Sequence, residues 1–328
     1  MIQVKNLNIG YKNNKERKIV KHGLSFSINE GELICLLGPN GCGKSTLLKT
    51  LSGLIPSLGG EIFIHKLNTQ NIHIKEQAKL ISLVLTDQIN YSDLSVYEMV
   101  SMGRNPHTNF LGSLSEVDRT IIHNALNSVN LSNFAERSYL SLSDGEKQRV
   151  LIAKALVQDT PVIFLDEPTA HLDLPNRVEI MLLLHNLCLS TGKTIIISTH
   201  ELELALQIAH RVILMDKENS IYIGIPEEMI LNKNLQRIFE TTSVQFNPFT
   251  GSFEMHHNPT KTVNILSQGE GYYTYWTKRA FMRLGYEISS ESELTVIINE
   301  RQKSWTIDSK EISEEFQSLS ELLTSLHK

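Results

Sequence analysis

Short apolar runs bounded by polar or glycine-rich stretches recur along this chain and predict buried strands at 2–7, Leu33–Leu37, 81–85, 162–165 and Thr194–Ser198. Between them, apolar residues at helical spacing predict helices from Ser45, over 96–102, over 116–129 and from about 144, the last with a stripe at positions 150, 151, 155 and 156. Two of these starts carry a capping pattern, Ser115 with Asp118 and Ser143 with Glu146. Alternating strands and helices predict an α/β fold. Past residue 245 the pattern changes. Turn formers crowd 247–251 and 256–259, which puts a boundary near residue 258. Beyond it, strands are expected at 263–266, Tyr286–Ile288, 294–298 and 305–307, with helices at 272–284 and 312–326. The second of these segments reads as a small α/β or α+β appendage, and its 268–271 turn, Gln-Gly-Glu-Gly, is a weak candidate for an anion.

Composition narrows the class. The 328 residues suffice for a full core and a second small domain, and a hydrophobic share of 41% is that of a globular protein. A net charge of −5 argues against a nucleic-acid partner held by a basic surface. No run of about 18 apolar residues occurs, and the first residues lack the pattern of a signal peptide, so the expected place is the cell interior. Three cysteines, at 35, 42 and 188, form no metal or disulfide framework.

Chemistry enters with Gly38-Pro39-Asn40-Gly41-Cys42-Gly43-Lys44-Ser45-Thr46, a G-x-x-x-x-G-K-S phosphate loop between a strand and a helix. Its glycines let backbone N–H groups wrap a polyphosphate at a helix N-terminus, Lys44 would reach the β- and γ-phosphates, and Ser45 would ligate Mg²⁺. Downstream, the 162–165 strand ends in Asp166-Glu167. Asp166 would hold Mg²⁺ through its water shell and Glu167 would polarise the attacking water. Cys42, beside Lys44 and a helix N-terminus, is expected to be a reactive thiolate.

A third constellation, Leu142-Ser143-Asp144-Gly145-Glu146-Lys147-Gln148-Arg149, resembles the signature of ATP-binding cassette (ABC) ATPases. Phosphate loop, signature, Asp-Glu and Ser198-Thr199-His200 follow in the cassette order over about residues 1–245. The resemblance implies a P-loop cassette core at 1–258, with a helical subdomain at about 89–158, and the appendage at 259–328. It implies that Tyr11 stacks on adenine, that Gln88 links Mg²⁺ and the lytic water to the transport partner, that Asp173 lies in a dimer-facing loop, and that His200 contacts the γ-phosphate. In this family two subunits meet head to tail, so Ser143 and the N–H of Gly145 would touch ATP bound by the other copy. Two positions depart from the pattern: Asp144 stands where most cassettes have glycine, and His171 where a small residue is common.

The wording of residues 94–100, 102–107 and 114–118 further resembles importers of iron chelates, haem and cobalamin. The resemblance therefore implies a Mg-ATP hydrolase working as a homodimer on two permease subunits at the cytoplasmic face of the cell membrane, fed indirectly by an extracytoplasmic binding protein. An exporter ATPase, or a cassette acting without a membrane partner, is the alternative.

Overall fold

In the computed structural model the chain divides into two compact units, Met1–Glu240 with Phe246–Ser252, and Thr241–Gln245 with Phe253–Lys328. The structure describes residues 1–12, 16–85, 93–108, 112–255, 259–267, 271–308 and 313–326.

The first unit opens with β1 (Ile2–Lys12) and β2 (Arg17–Ile28), then β3 (Leu33–Leu37), α1 (Lys44–Leu51), β4 (Gly59–Ile64), β5 (Leu67–Asn68), α2 (Ile74–Gln77) and β6 (Ile81–Val84). Helices α3 (Val96–Ser101), α4 (Glu116–Ser128) and α5 (Asp144–Val157) follow. The chain then resumes alternation through β7 (Val162–Asp166), α6 (Leu174–Thr191), β8 (Thr194–Ser198), α7 (Leu202–Ile208), β9 (Arg211–Met215), β10 (Ile221–Gly224), α8 (Pro226–Leu231) and α9 (Asn234–Phe239). One sheet is antiparallel, β2-β1-β4-β5; the other runs β10-β9-β3-β8-β7-β6, parallel from β9 to β6. Strands β3, β7 and β8 are buried along their whole length, which explains their unbroken apolar runs. Both sheets and α1 share one core, including Ile9, Leu36, Leu47, Phe164, Ile196 and Ile213.

Cys42 belongs to that same core, 1% exposed, although it stands in the phosphate loop. Burial pushes its thiol pKa up and outweighs the opposing Lys44 charge. This overturns the expectation of a reactive thiolate: the neighbouring charge is legible in the sequence, the side chain's inward direction is not. Cys35 and Cys188 are buried as well, and Cys35 is pushed up to about 12.

The helices α3 to α5 are tied together by a buried ion pair. Arg104, in the 3₁₀ turn Met102–His107 after α3, donates from Nε to Asp118 Oδ1 at 2.8 Å and from Nη1 to the Val157 carbonyl at 2.7 Å. Asp118 Oδ2 closes the capping box of α4 by accepting from Ser115 N and Oγ at 2.9 and 2.6 Å. Gly103 lets this turn approach α5, since a Cβ there would collide with the Lys154 carbonyl. The residues that carry the importer resemblance, Gly103, Arg104, Ser115 and Asp118, thus frame the helical segment.

Strands β11 (Val244–Asn247) and β12 (Ser252–Met255) lie where the chain crosses between the units. The second unit then holds β13 (Lys261–Ser267), α10 (Tyr272–Arg283), β14 (Tyr286–Ile288), β15 (Thr295–Asn299), β16 (Ser304–Asp308), β17 (Ser313–Phe316) and α11 (Leu319–Ser325), its sheet ordered β14-β13-β15-β16-β17. The expected pairing of the 294–298 and 305–307 segments is present. The expected helix over 312–326 is not: its first part is a strand, because Phe316 turns into the core as β17 pairs with β16, and the helix starts only after the Ser318 cap. At the start of α10, Glu300 accepts from Thr274 N and Oγ1 at 3.0 and 2.8 Å, so a carboxylate of the chain itself caps this helix. Residues 268–270 of the suggested anion turn lie outside the described residues.

Two outcomes follow from this packing. Brief maleimide treatment of the native protein should label none of the three cysteines, with full labelling after denaturation; mass mapping that finds native, ATP-protected labelling of Cys42 would contradict its buried position. Asp118→Asn should destabilise the protein by about 3 kcal/mol, because it strips a buried arginine of its counter-charge. Ser115's hydrogen bonds, with help from Arg104, hold the Asp118 carboxyl at about 2 against an ordinary 3.8. Its stabilisation is therefore complete above pH 3.8 and is lost as pH falls through about 2. Melts from pH 7 to pH 2 should show the gap between wild type and Asp118→Asn closing over that window.

Candidate active site

The phosphate loop leaves the C-terminal end of β3 and runs into α1. Gly38 has φ 152°, and a Cβ there would collide with the Met215 carbonyl. Gly43, the N-cap of α1, has φ 106°, and a Cβ would stand 2.7 Å from Val20 Cγ1. Any larger residue at either position is excluded by conformation and by space. Pro39 accepts the Cys42 N–H at 3.3 Å to close the turn, while Asn40 and Gly41 are exposed at its tip. Lys44 is 5% exposed and donates to the Gly38 carbonyl at 2.8 Å, which folds its ammonium back over the loop. Burial lowers its pKa, and Cys42, Glu167 and Asp166 oppose that shift. Ser45 is half-buried in the first turn of α1. Thr46 Oγ1 lies 3.0 Å from the Tyr11 hydroxyl, so Tyr11, 47% exposed, is anchored beside the loop.

Three more segments converge on this edge. Ser198, at the end of β8, donates from Oγ to Asp166 Oδ1 at 2.6 Å, and both its Oγ and its carbonyl accept the Glu167 N–H at 3.0 Å. Glu167 has φ 48°, a left-handed conformation that turns the chain sharply out of β7. Its Oε1 meets His200 Nε2 at 2.9 Å, in the geometry of a donating Nε2 and an accepting carboxylate. Lys44, Asp166, Glu167 and His200 are thus brought together. Gln88 lies outside the described residues.

The signature residues lie elsewhere on the unit. Ser143 caps α5 in a full capping box with Glu146, and Gly145 is buried against α6, where a Cβ would stand 2.8 Å from Asn176 Oδ1. Asn176 in turn donates from Nδ2 to Asp173 Oδ1 at 2.6 Å, and Asp173 is the N-cap of α6. Asp144 is exposed and stands 3.9 Å from Lys147, one turn along α5. The aspartate that departs from the usual signature is balanced by a lysine of its own helix. Ser143 and Asp173 are exposed.

Sequence reading did not single out Ser198 as the anchor of both acidic residues, nor Asn176 and Arg177 as supports of the Asp173 turn. The polar cluster after β8 was a signal for the first; the side-chain partners of the others are set by folding. Among the described residues no group of three His, Cys, Asp or Glu could hold a metal ion. The donors at the loop are a hydroxyl and a carboxylate, hard oxygen ligands that suit Mg²⁺ where substrate phosphates supply the remaining ligands. The site can bind a polyphosphate by backbone N–H groups and a lysine, and present a carboxylate to water.

Comparison with known proteins agrees with this geometry. Residues 21–170 match the ABC transporter family model, and residues 260–327 match the model of the iron ABC transporter C-terminal domain. The chain is 37% identical over 244 residues to the iron(3+)-hydroxamate import ATP-binding protein of Bacillus subtilis, covering 73% of this chain and 87% of that one. A metal-chelate type ABC transporter solved in an inward-facing conformation is 31% identical with a TM-score of 0.63, over 78% of this chain and 95% of the other. A dimeric ATP-binding cassette solved in a post-hydrolysis state with ADP and Pi is 29% identical with a TM-score of 0.59, over 69% and 99%. With the phosphate loop, the acidic strand end and the capped signature helix in one unit, the chain belongs to the ATP-binding proteins of ABC transporters.

Proposed function

We propose that this chain is the ATP-hydrolysing subunit of an importer for a metal chelate, an iron siderophore, haem or cobalamin, and that it acts as a homodimer on two permease subunits. The carrying observation is the meeting of Lys44, Asp166, Glu167 and His200 at one edge of the parallel sheet. Lys44 and the loop N–H groups from Gly38 to Thr46 offset the charge of the β- and γ-phosphates. Glu167, aimed by its N–H bonds to Ser198, accepts a proton from the attacking water, and His200 orients that carboxylate and contacts the γ-phosphate. Magnesium, when bound, neutralises charge that develops on the phosphate oxygens; Ser45, Asp166 through water, and Gln88 would hold it. Tyr11 offers its ring to adenine.

The exposed cap Ser143 and the N–H of Gly145 are read as donors to ATP held by a second copy, at the positive end of α5. The dimeric relative described above supports this arrangement, and the Asp173 turn beside Asn176 would face the same interface. The iron-related matches, one of which spans residues 260–327, support the chelate class. No helix among the described residues is long and apolar enough to cross a membrane, which accords with a peripheral place at the cytoplasmic face. In this reading residues 1–258 form the cassette, with 89–158 as its helical part. Residues 259–328 stabilise or regulate the dimer, and an extracytoplasmic binding protein delivers the chelate to the permease.

Glu167→Gln should leave ATP affinity within about twofold while turnover falls by about a hundredfold or more, since the amide keeps the shape and loses the basicity. Size-exclusion chromatography with Mg-ATP should then find a trapped dimer. Unchanged turnover in a steady-state assay would remove Glu167 from this role. A chain ended after residue 258, once circular dichroism establishes a cooperative melt, should still bind ATP and still depend on Glu167. A folded truncation that has lost ATP binding would refute the division of labour.

A further inference from the structure

Arg177 joins two segments that each connect to Glu167, the turn that follows it and the segment that carries His200. It stands in the first turn of α6, and its Nε donates to the Leu172 carbonyl at 2.6 Å while Nη1 donates to Glu201 Oε1 at 2.9 Å. Leu172 belongs to the turn that ends at Asp173, and Glu201 directly follows His200. Glu201 is the N-cap of α7, yet its side chain makes no capping bond there. Its N–H instead goes to Thr199 Oγ1 at 3.0 Å.

The remaining bonds complete a ring. Ala170 N donates to the Glu167 carbonyl at 3.0 Å and Leu172 N to the Thr169 carbonyl at 3.3 Å, which fixes the turn between Glu167 and Leu172. His171, inside that turn, has φ 65°, so its shape is held by these tethers against a backbone preference. From Leu172 the ring passes through Arg177 to Glu201, along the chain to His200, and from His200 Nε2 back to Glu167 Oε1 at 2.9 Å. The guanidinium closes the ring at the end opposite the His200–Glu167 bond. With side chains 37% and 23% exposed, the Arg177–Glu201 pair is too solvated to contribute much stability. Its fixed, two-ended geometry suits alignment, because one planar fork sets a carbonyl and a carboxylate at a defined separation.

We propose that Arg177 is a positioning residue that couples the Leu172–Asp173 turn to His200, so that the stance of this turn sets how His200 orients Glu167. This rests on the roles given above to Glu167 and His200. In a head-to-tail dimer the turn faces the other copy, and the ring would report closure of the interface to the water-activating carboxylate within the same subunit.

The test is a double-mutant cycle in the full-length chain, with ATPase kinetics of Arg177→Ala, Glu201→Ala and the double variant, and Glu167→Gln in parallel. Each single change should lower kcat about tenfold or more, as misplacement of a catalytic group does, with KM for ATP within about twofold. The double variant should be no slower than the slower single, because one bridge is lost in all three. Arg177→Lys should stay slow, since an ammonium keeps the charge and loses the fork. If Arg177→Ala lacks a cooperative melt, Arg177→Lys takes its place in the cycle. Wild-type kcat in the singles, a rise in KM alone, or losses that multiply in the double variant would each overturn the proposal. Should Glu167→Gln abolish turnover while the Arg177 variants hydrolyse normally, this inference alone falls; should Glu167→Gln keep turnover, the site reading falls and takes this one with it.

Discussion

The parallel register of β3, β8 and β7 is the constraint on which the rest depends. Leu36 lies opposite Ser198, and Ser198 lies opposite Asp166, so three strands end on one line. Everything that leaves those ends emerges on the same edge: the phosphate loop from β3, the acidic pair from β7, and the Ser-Thr-His segment from β8. Ligand sites at the carboxyl ends of parallel strands are the general expectation for such sheets. Here the register turns that expectation into hydrogen bonds, because Ser198 reaches both Asp166 and the Glu167 backbone.

Charge is distributed accordingly. Lys44 is nearly buried, which disfavours its cation, and the nearby carboxylates of Glu167 and Asp166 favour it. A nucleotide's phosphates would bring further negative charge to this place, so the lysine's folded environment anticipates its ligand's sign. At the signature helix, by contrast, Asp144 and Glu146 lie in the first turn, where carboxylates are favourable to the helix, and Lys147 offsets the more exposed of them.

How much of this was legible in the sequence depends on how local the cause is. The phosphate loop, the Asp166-Glu167 strand end and the Ser143–Glu146 cap are contiguous, and each carries its own reason in three to nine residues. The Arg104–Asp118 pair spans fourteen positions. Both residues stood in the wording that resembled chelate importers, yet their mutual contact did not show. Arg177 and Glu201 are 24 apart, and Ser198 and Asp166 are 32 apart; only the topology of α6 and β8 brings them together. Cys42 was misread because a charged neighbour is a sequence fact and burial is not. The 312–326 segment was misread because Phe316 fits either period, and its strand pairing with β16 decided between them.

The left-handed backbone at Glu167 has an evolutionary implication. A non-glycine residue held there carries strain of about 1–3 kcal/mol, borne by the structure around it. Glycine or asparagine would relieve part of that strain, so the residue that best suits the backbone here is not the glutamate that the proposed chemistry requires. Selection for thermal robustness alone would drift away from glutamate at this position, and a library screened only for folding would, on the proposed role, be enriched in proteins without turnover. The acidic residue after β7 stands against the local backbone preference, which is the arrangement expected of a residue kept for the role proposed above rather than for stability.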